Sequence, residues 1–149
     1  MSHTYTRLLY HIVFSTKGRF PWINNELEQD LHPYLGGVLR NIGGVAWTVG
    51  GIADHLHLLG GIPAKIAVSD AVRTIKANSS KWIHETKGLS NFLWQEGYSA
   101  FTVSEPSREA VIRYIANQAE HHRQSSSHDE LRALLRKHQV EFDEATLWD

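Results

Sequence analysis

The alternation of apolar and polar positions divides the chain into strands and helices. Residues 5–15 are aromatic and β-branched without a helix breaker, which predicts a strand. Leucines then recur near the helical period between residues 27 and 39, and the asparagine pair at residues 24–25 can cap the helix that they predict. A glycine pair at residues 43–44 ends this helix.

The rest of the chain continues the alternation. Two short apolar runs separated by Ala53-Asp54 favour an antiparallel hairpin, and Ser69-Asp70 and Gly88 are the start and stop signals of a second helix. An aromatic-rich run predicts a fourth strand, and a serine-rich break separates two final helices. These elements are predicted at residues 45–52, 55–62, 69–86, 92–103, 108–124 and 128–138.

The element order β-α-β-β-α-β predicts an α+β fold of the ferredoxin-like or RRM-like split βαβ type. We expect an antiparallel four-stranded sheet with helices on one face, followed by C-terminal helices. The 149 residues suit a single domain. We therefore assign residues 1–124 to the domain and residues 125–149 to a C-terminal helical tail of the same domain.

Composition excludes several classes of protein. Apolar residues make up 42% of the chain and charged residues 21%, as is usual for a globular domain. The absence of cysteine excludes disulfides, a zinc ribbon and a cysteine nucleophile. No apolar run approaches the roughly 18 residues that span a bilayer, so we expect no membrane association. The N-terminus shows no apolar signal region, and we expect a cytoplasmic protein.

The charge pattern leaves two interpretations open. A net charge of −1 argues against nucleic-acid binding by the chain as a whole. The middle of the chain is nevertheless slightly basic, because the acidic excess lies in the tail. Residues 73–87 carry four Lys or Arg side chains and a single acidic one, Glu85. This helix is either a solvated surface or a surface that contacts phosphates.

Paired histidines form the first candidate site. On a strand, His55 and His57 project to the same face, while Leu56 and Leu58 project to the core. Two imidazoles at this spacing can bind one divalent metal ion. Two half-buried histidines that are satisfied by their neighbours would show the same pattern, so both interpretations remain open.

A tyrosine helix forms the second candidate site. Helical spacing places Tyr114, Gln118 and His121 on one face, away from an apolar stripe of Ile112, Ile115, Ala116 and Ala119. By itself this is also the pattern of a surface tyrosine with a polar neighbour. Combined with the histidine pair, the Gln118 amide could supply a third metal ligand, and Tyr114 could attack a metal-polarised phosphodiester. We assign His121 and His122 to solvent or DNA rather than to metal.

These motifs resemble a known family. Asp-His-Leu-His-Leu-Leu, which contains His55 and His57, resembles the histidine–hydrophobic–histidine (HUH) motif, and Tyr-Ile-Ala-Asn-Gln resembles the Tyr-x-x-x-Gln helix of the single-tyrosine HUH transposases. That family contains small insertion-sequence transposases and relatives associated with repetitive extragenic palindromes (REPs). Shorter similarities around Tyr10–Arg19, Ile75–Lys81 and Trp94–Tyr98 extend the resemblance over roughly residues 5–123.

The resemblance implies a mechanism. Mg²⁺ or Mn²⁺ would bind His55, His57 and Gln118, and Tyr114 would attack single-stranded DNA near an imperfect hairpin. A 5′-phosphotyrosine link and a free 3′-hydroxyl would form, and a second attack by a 3′-hydroxyl would reseal the strand. It further implies a homodimer associated with the nucleoid, with residues 99–107 as the hinge that delivers each tyrosine to the partner. The phosphate contacts would be Lys17, Arg19, Arg73, Lys76 and Lys81.

Three alternatives remain at this stage. The first is a domesticated enzyme that processes chromosomal REP palindromes. The second is a non-catalytic single-stranded nucleic-acid-binding module in which bases stack on Tyr10, Phe14 and Trp94. The third is a metal phosphodiesterase that uses water, with Tyr114 as a bystander. A covalent protein–DNA adduct distinguishes the transferase from the second and third.

Overall fold

A computed structural model of the protein describes residues 3–149, and Met1 and Ser2, which we assign to the same domain, lie outside the described residues. Four strands form one antiparallel sheet in the order β2-β3-β1-β4. This arrangement confirms the predicted ferredoxin-like α+β fold. The elements are β1 (Leu9–Ser15), α1 (Asn25–Asn41), β2 (Val45–Ile52), β3 (His55–Gly61), α2 (Val68–Lys87), β4 (Ser99–Val103), α3 (Arg108–Ala116), α4 (Gln118–Gln124) and α5 (Ser127–Lys137).

Helices α1 and α2 cover one face of the sheet and enclose the main core. Alternate residues of β1 and β3, among them Phe14 and Leu56, point into this core and are fully buried. Trp94 packs edge-on against Phe14 with ring centres 4.9 Å apart. The alternative in which bases stack on Phe14 and Trp94 is therefore contradicted, because both rings are buried in the main core. Tyr10 packs against the same core and is partly buried.

Helices α3, α4 and α5 lie over the opposite face, with the C-terminal segment beside them. A second apolar cluster joins Val13 of β1 and Phe101 of β4 to Leu131 and Leu135 of α5, and Trp148 packs against it. Residues 127–149 therefore fold back onto the sheet. The histidine face of β3 is enclosed beneath these helices.

A glycine in β2 lets the tyrosine helix approach the sheet closely. A Cβ atom at Gly50 would lie 2.3 Å from the carbonyl oxygen of Ile115, a distance that a larger residue could not tolerate. Gly50 pairs with His57 across the sheet. The close contact at Gly50 therefore brings α3 directly over the paired histidines.

Two predicted elements differ from the structure. The fourth strand begins at Ser99 rather than near residue 92, so Ser99–Val103, half of the proposed hinge, is paired with β1. The predicted long helix is interrupted at Asn117, whose φ of −99° and ψ of 24° are not helical. This interruption breaks the predicted apolar stripe: Ile115 is buried, whereas Ala116 and Ala119 are exposed.

Within residues 3–149, none of the helices combines the length and the apolar character that crossing a bilayer requires.

Candidate active site

The carboxylate of Glu130 lies at the centre of the candidate site. Its Oε1 atom is 2.9 Å from Nε2 of His57 and 3.2 Å from Nε2 of His55. Its Oε2 atom accepts hydrogen bonds from the Tyr114 hydroxyl and, at 3.0 Å, from Nε2 of Gln118. The structure thus brings all four predicted metal-binding and catalytic residues together around a side chain that sequence analysis did not single out.

The pairing of β1 with β3 places His11 next to His57, on the side of the ring away from Glu130. Nε2 of His11 and Nδ1 of His57 form a hydrogen bond of 2.7 Å, and both rings are buried. Burial, with the neighbouring His57 ring, lowers the pKa of His11 to about 3, so that this ring is neutral. Burial likewise lowers the pKa of His57. The Nε2 atom of His57 is directed at the centre of the site.

His55 is oriented by the aspartate that precedes it. Nδ1 of His55 lies 2.8 Å from Oδ1 of Asp54, and the imidazole is fully buried. Burial alone would lower the pKa of His55, but the carboxylates of Asp54 and Glu130 outweigh it and raise this pKa to about 9. Asp54 thus sets the ring orientation, as carboxylates do behind metal-binding histidines.

Tyr114 and Glu130 affect each other's ionisation. Burial, reinforced by the hydrogen bond to Glu130, raises the pKa of Tyr114 well above its ordinary value. Burial alone would raise the pKa of Glu130, but His55 and His57 beside it hold that pKa well below its ordinary value. In this arrangement the phenol is neutral and the carboxylate is ionised.

A cavity of about 600 Å³ opens onto the tyrosine and Glu130. It lies between the end of β4, helix α3 and helix α5, and Thr102, Val111 and Leu134 contribute to its walls. This cavity gives a ligand access to the Tyr114 hydroxyl.

The candidate site contains side chains that sequence analysis did not assign to it, among them Glu130, His122 and His11. The expectation that His122 faces solvent or DNA is wrong, because its side chain is 8% exposed and Nε2 is 3.1 Å from Oε1 of Gln118. His121 is about one-third exposed, with Nε2 3.3 Å from Oε2 of Glu130. One available signal was the helical spacing of Glu130, which lies three residues after Ser127 and four before Leu134 and so borders the apolar face of α5.

The five predicted phosphate-contacting residues fall into two groups. Lys17 and Arg19 lie at the end of β1, beside a groove that Trp148 also lines. Arg73, Lys76 and Lys81 lie on α2, on the other side of the sheet from the histidines. Arg73 forms an exposed ion pair of 2.8 Å with Asp70, and Lys81 is exposed.

Lys76 is held by the backbone. Its Nζ atom donates hydrogen bonds to the carbonyl oxygens of Gln95, at 2.9 Å, and of Gly97. Burial lowers the pKa of this ammonium group to about 8. Lys76 thus anchors the segment that leads into β4.

We expect Lys76→Ala to lower the free energy of unfolding by about 2 kcal/mol, because charged hydrogen bonds to two carbonyl groups are lost. That loss corresponds to a fall in Tm of roughly 4–8 °C. The control is Lys81→Ala, on the same helix but exposed, which should leave Tm almost unchanged. An unchanged Tm for Lys76→Ala, with weakened DNA binding, would instead identify Lys76 as a phosphate contact.

The fold and the site together define a class. A ferredoxin-like sheet carries an HUH histidine pair on a central strand. The consecutive helices α3 and α4, which carry Tyr114 and Gln118, pack over it. These are the features of the single-tyrosine HUH transposases. The family model described as "Transposase IS200 like" matches residues 4–118, and the chain belongs to this family of transposases. It is accordingly a DNA-cleaving enzyme.

Relatives and solved structures agree with this family assignment. The ISDra2 transposase TnpA of Deinococcus radiodurans is 27% identical over 118 residues, which are 75% of this chain and 84% of that protein. The transposase for insertion sequence element IS200 of Salmonella typhimurium is 30% identical over 132 residues, which are 80% of this chain and 82% of that protein. A crystal structure of a candidate transposase from D. radiodurans R1 matches with a TM-score of 0.63 and 25% identity, covering 79% of this chain and 95% of that chain.

A REP-associated tyrosine transposase bound to a REP hairpin shares the fold. The TM-score is 0.57 at 17% identity, and the match covers 78% of this chain and 70% of that chain.

Proposed function

We propose that this transposase nicks and rejoins single-stranded DNA at imperfect hairpins through a 5′-phosphotyrosine intermediate, with Mg²⁺ or Mn²⁺ as cofactor. The observation that carries the proposal is the convergence of the Tyr114 hydroxyl, the Gln118 side chain and the His55 and His57 rings on one carboxylate. A nucleophile and candidate metal ligands lie together at the end of an open cavity.

The donor set fits a divalent cation. His55, His57 and Gln118 are the residues that we propose to hold it, and the buried Nε2 of His55, although 3.2 Å from Oε1 of Glu130, forms no hydrogen bond of good geometry within residues 3–149. When bound, the cation would neutralise charge on the scissile phosphate and make phosphorus more electrophilic. Asp54 and His11 would keep the two imidazoles directed at it.

Tyr114 supplies the attacking oxygen. Its phenolic oxygen forms a bond to phosphorus, and the bond from phosphorus to the 3′-oxygen breaks. The phenol loses one proton and the leaving 3′-oxygen gains one, so the step balances. In the second step a DNA 3′-hydroxyl attacks the same phosphorus and releases the phenol. Because one phosphodiester is exchanged for another, no external energy source is required. The hydrogen bond from Tyr114 to Glu130 must break for the phenol to face the phosphate.

The substrate proposal rests on charge and on similarity. Lys17 and Arg19 lie beside the groove at the end of β1, where they can contact phosphates. A second groove on the α2 side is lined by Arg73 and the exposed Tyr98, which suits a nucleic-acid backbone with an unpaired base. The structural relative bound to a REP hairpin supports a hairpin as the substrate.

The catalytic side chains assemble within one chain. The rings of Tyr114 and His57 lie 5.8 Å apart in the same molecule, so the homodimer that we propose is not needed to complete the site. We assign the activity to residues 1–124 with the tail at 125–149, and we expect the enzyme to act at the nucleoid in the cytoplasm. A domesticated enzyme that acts on chromosomal palindromes would use the same chemistry.

A denaturing gel tests the proposal. The protein is incubated with labelled single-stranded hairpin DNA from its own locus, with Mn²⁺ or with EDTA. We expect a protease-sensitive covalent band with Mn²⁺ and none with EDTA. Cleavage without a covalent band would identify water as the nucleophile. Activity that persists in EDTA would contradict the metal requirement.

A further inference from the structure

Glu130 belongs to the tail, yet it makes the most contacts in the site. Its side chain is 2% exposed, and Oε1 lies 2.9 Å, 3.1 Å and 3.2 Å from the Nε2 atoms of His57, His122 and His55. Three imidazole nitrogens therefore surround a single carboxylate oxygen. A carboxylate is buried in this way when it is paired with positive charge or binds a metal.

The orientation of His122 follows from its other nitrogen. Nδ1 of His122 is 2.9 Å from the carbonyl oxygen of Ser125, and because a carbonyl only accepts, Nδ1 is the donor. This contact fixes the ring so that its other nitrogen, Nε2, points into the site. Nε2 faces two acceptors at 3.1 Å, Oε1 of Gln118 and Oε1 of Glu130. One imidazole nitrogen and two oxygen atoms therefore converge at hydrogen-bond distance, and they are three potential ligand atoms for a divalent cation.

His55 shows the same arrangement. Its Nδ1 is committed to Asp54, which directs Nε2 at Glu130. Imidazoles that bind a metal through one nitrogen are usually oriented in this way, with the other nitrogen donating to a carboxylate or a carbonyl. His55 and His122 thus present one oriented nitrogen each to the same point.

The spacing of these atoms suits a divalent ion. In an octahedral site with bonds of about 2.1 Å, neighbouring ligand atoms lie about 3 Å apart. The Oε1 atom of Glu130 is 3.2 Å from His55 and 3.1 Å from His122. One ligand atom from each of His55, His122 and Glu130 can be chosen so that all three lie within 4.8 Å of one another. A mixture of imidazole and carboxylate ligands is compatible with Mn²⁺.

We propose that Glu130 and His122 bind the divalent cation together with His55, so that α5 supplies a ligand of the metal. This inference rests on the proposed metal-dependent function and adds two ligands that the His55, His57 and Gln118 set does not contain. Binding of the metal and docking of α5 are then coupled. The scissile phosphate, which also offers an anionic oxygen, competes with Glu130 for the cation.

Mn²⁺ binding to the metal-free, DNA-free protein tests the inference. Free Mn²⁺ is measured by its electron paramagnetic resonance signal during a titration. Glu130→Ala and His122→Ala should each raise the Kd for Mn²⁺ about 10-fold or more. Glu130→Gln, which keeps the shape of the side chain and a neutral oxygen, should raise it less. The control is Asp129→Asn, which removes the same charge one residue away on an exposed side chain and should change Kd less than about 2-fold.

Hydrogen exchange supplies a second measurement. Mn²⁺ should slow amide exchange in α5 of the wild type, and it should have no such effect in Glu130→Ala. A Kd for Glu130→Ala that equals or falls below that of the wild type would overturn the inference, because Glu130 would then merely occupy the site. A different result would contradict the proposed function. If the Kd for Mn²⁺ depends on Glu130 but no covalent DNA adduct forms, the transferase activity is contradicted and the ligand assignment stands.

Discussion

Tyr114→Phe is expected to eliminate the covalent protein–DNA adduct and to reduce strand cleavage by about 10⁴-fold or more, as loss of a nucleophile does in other enzymes. The substitution removes only the phenolic oxygen, which is the atom proposed to attack phosphorus. The ring remains beside His11 and His57, so binding of the hairpin should not change. The measurements are the covalent band on a denaturing gel and the hairpin Kd on a native gel.

The matched control for this variant is Tyr34→Phe. Tyr34 lies on α1, which covers the face of the sheet opposite the histidines, and its ring stacks on Trp82. Loss of the Tyr34 hydroxyl should leave the adduct unchanged. A covalent adduct in Tyr114→Phe would show that another residue is the nucleophile. A loss of hairpin binding together with the adduct would indicate that the variant has disturbed the DNA site.

His57→Ala is expected to lower metal-dependent cleavage about 100-fold or more at limiting Mn²⁺, because the site loses a proposed ligand and the support of His11. Raising the Mn²⁺ concentration should restore part of the activity if His57 is a metal ligand, whereas it should not restore activity if His57 is only structural. The assay is initial cleavage rate against Mn²⁺ concentration, with Tm recorded for each variant.

His32→Ala is the control for His57→Ala. His32 lies on α1, which packs on the other face of the sheet, and its Nδ1 is 3.9 Å from Oε1 of Glu28. The substitution His32→Ala removes an imidazole far from the site and should leave the Mn²⁺ dependence of cleavage unchanged. Equal Mn²⁺ dependence for wild type and His57→Ala would exclude His57 as a ligand.

Most of the fold could be predicted from the local spacing of apolar and polar residues. The bounds of β2 were predicted without error, and the cap at Asn24 forms as expected, accepting a hydrogen bond from the backbone N–H of Leu27 at 2.8 Å. These features depend on neighbouring residues. The start of β4 was predicted too early because residues 92–98 are rich in aromatic residues, as strands often are. Phe92 and Trp94 are instead buried in the core from a segment that precedes β4.

The candidate site was likewise predicted only as far as local spacing allows. The two-residue period of a strand was enough to place His55 and His57 on one face, and the helical period was enough to place Tyr114 and Gln118 on another. Both expectations agree with the structure, because the interruption at Asn117 leaves Gln118 directed at the same carboxylate as Tyr114. The roles proposed for these residues are still predictions.

By itself, therefore, the sequence determined which residues share a strand face or a helix face, together with the order of the elements and the family. Only the tertiary structure decided which faces meet. Glu130 is 73 residues from His57 along the chain, and their contact depends on how α5 folds back across the sheet. His11 likewise meets His57 only through the register of β1 and β3. Periodicity describes the direction of a side chain along its own element, whereas the partner that it meets is set by packing between elements distant in sequence.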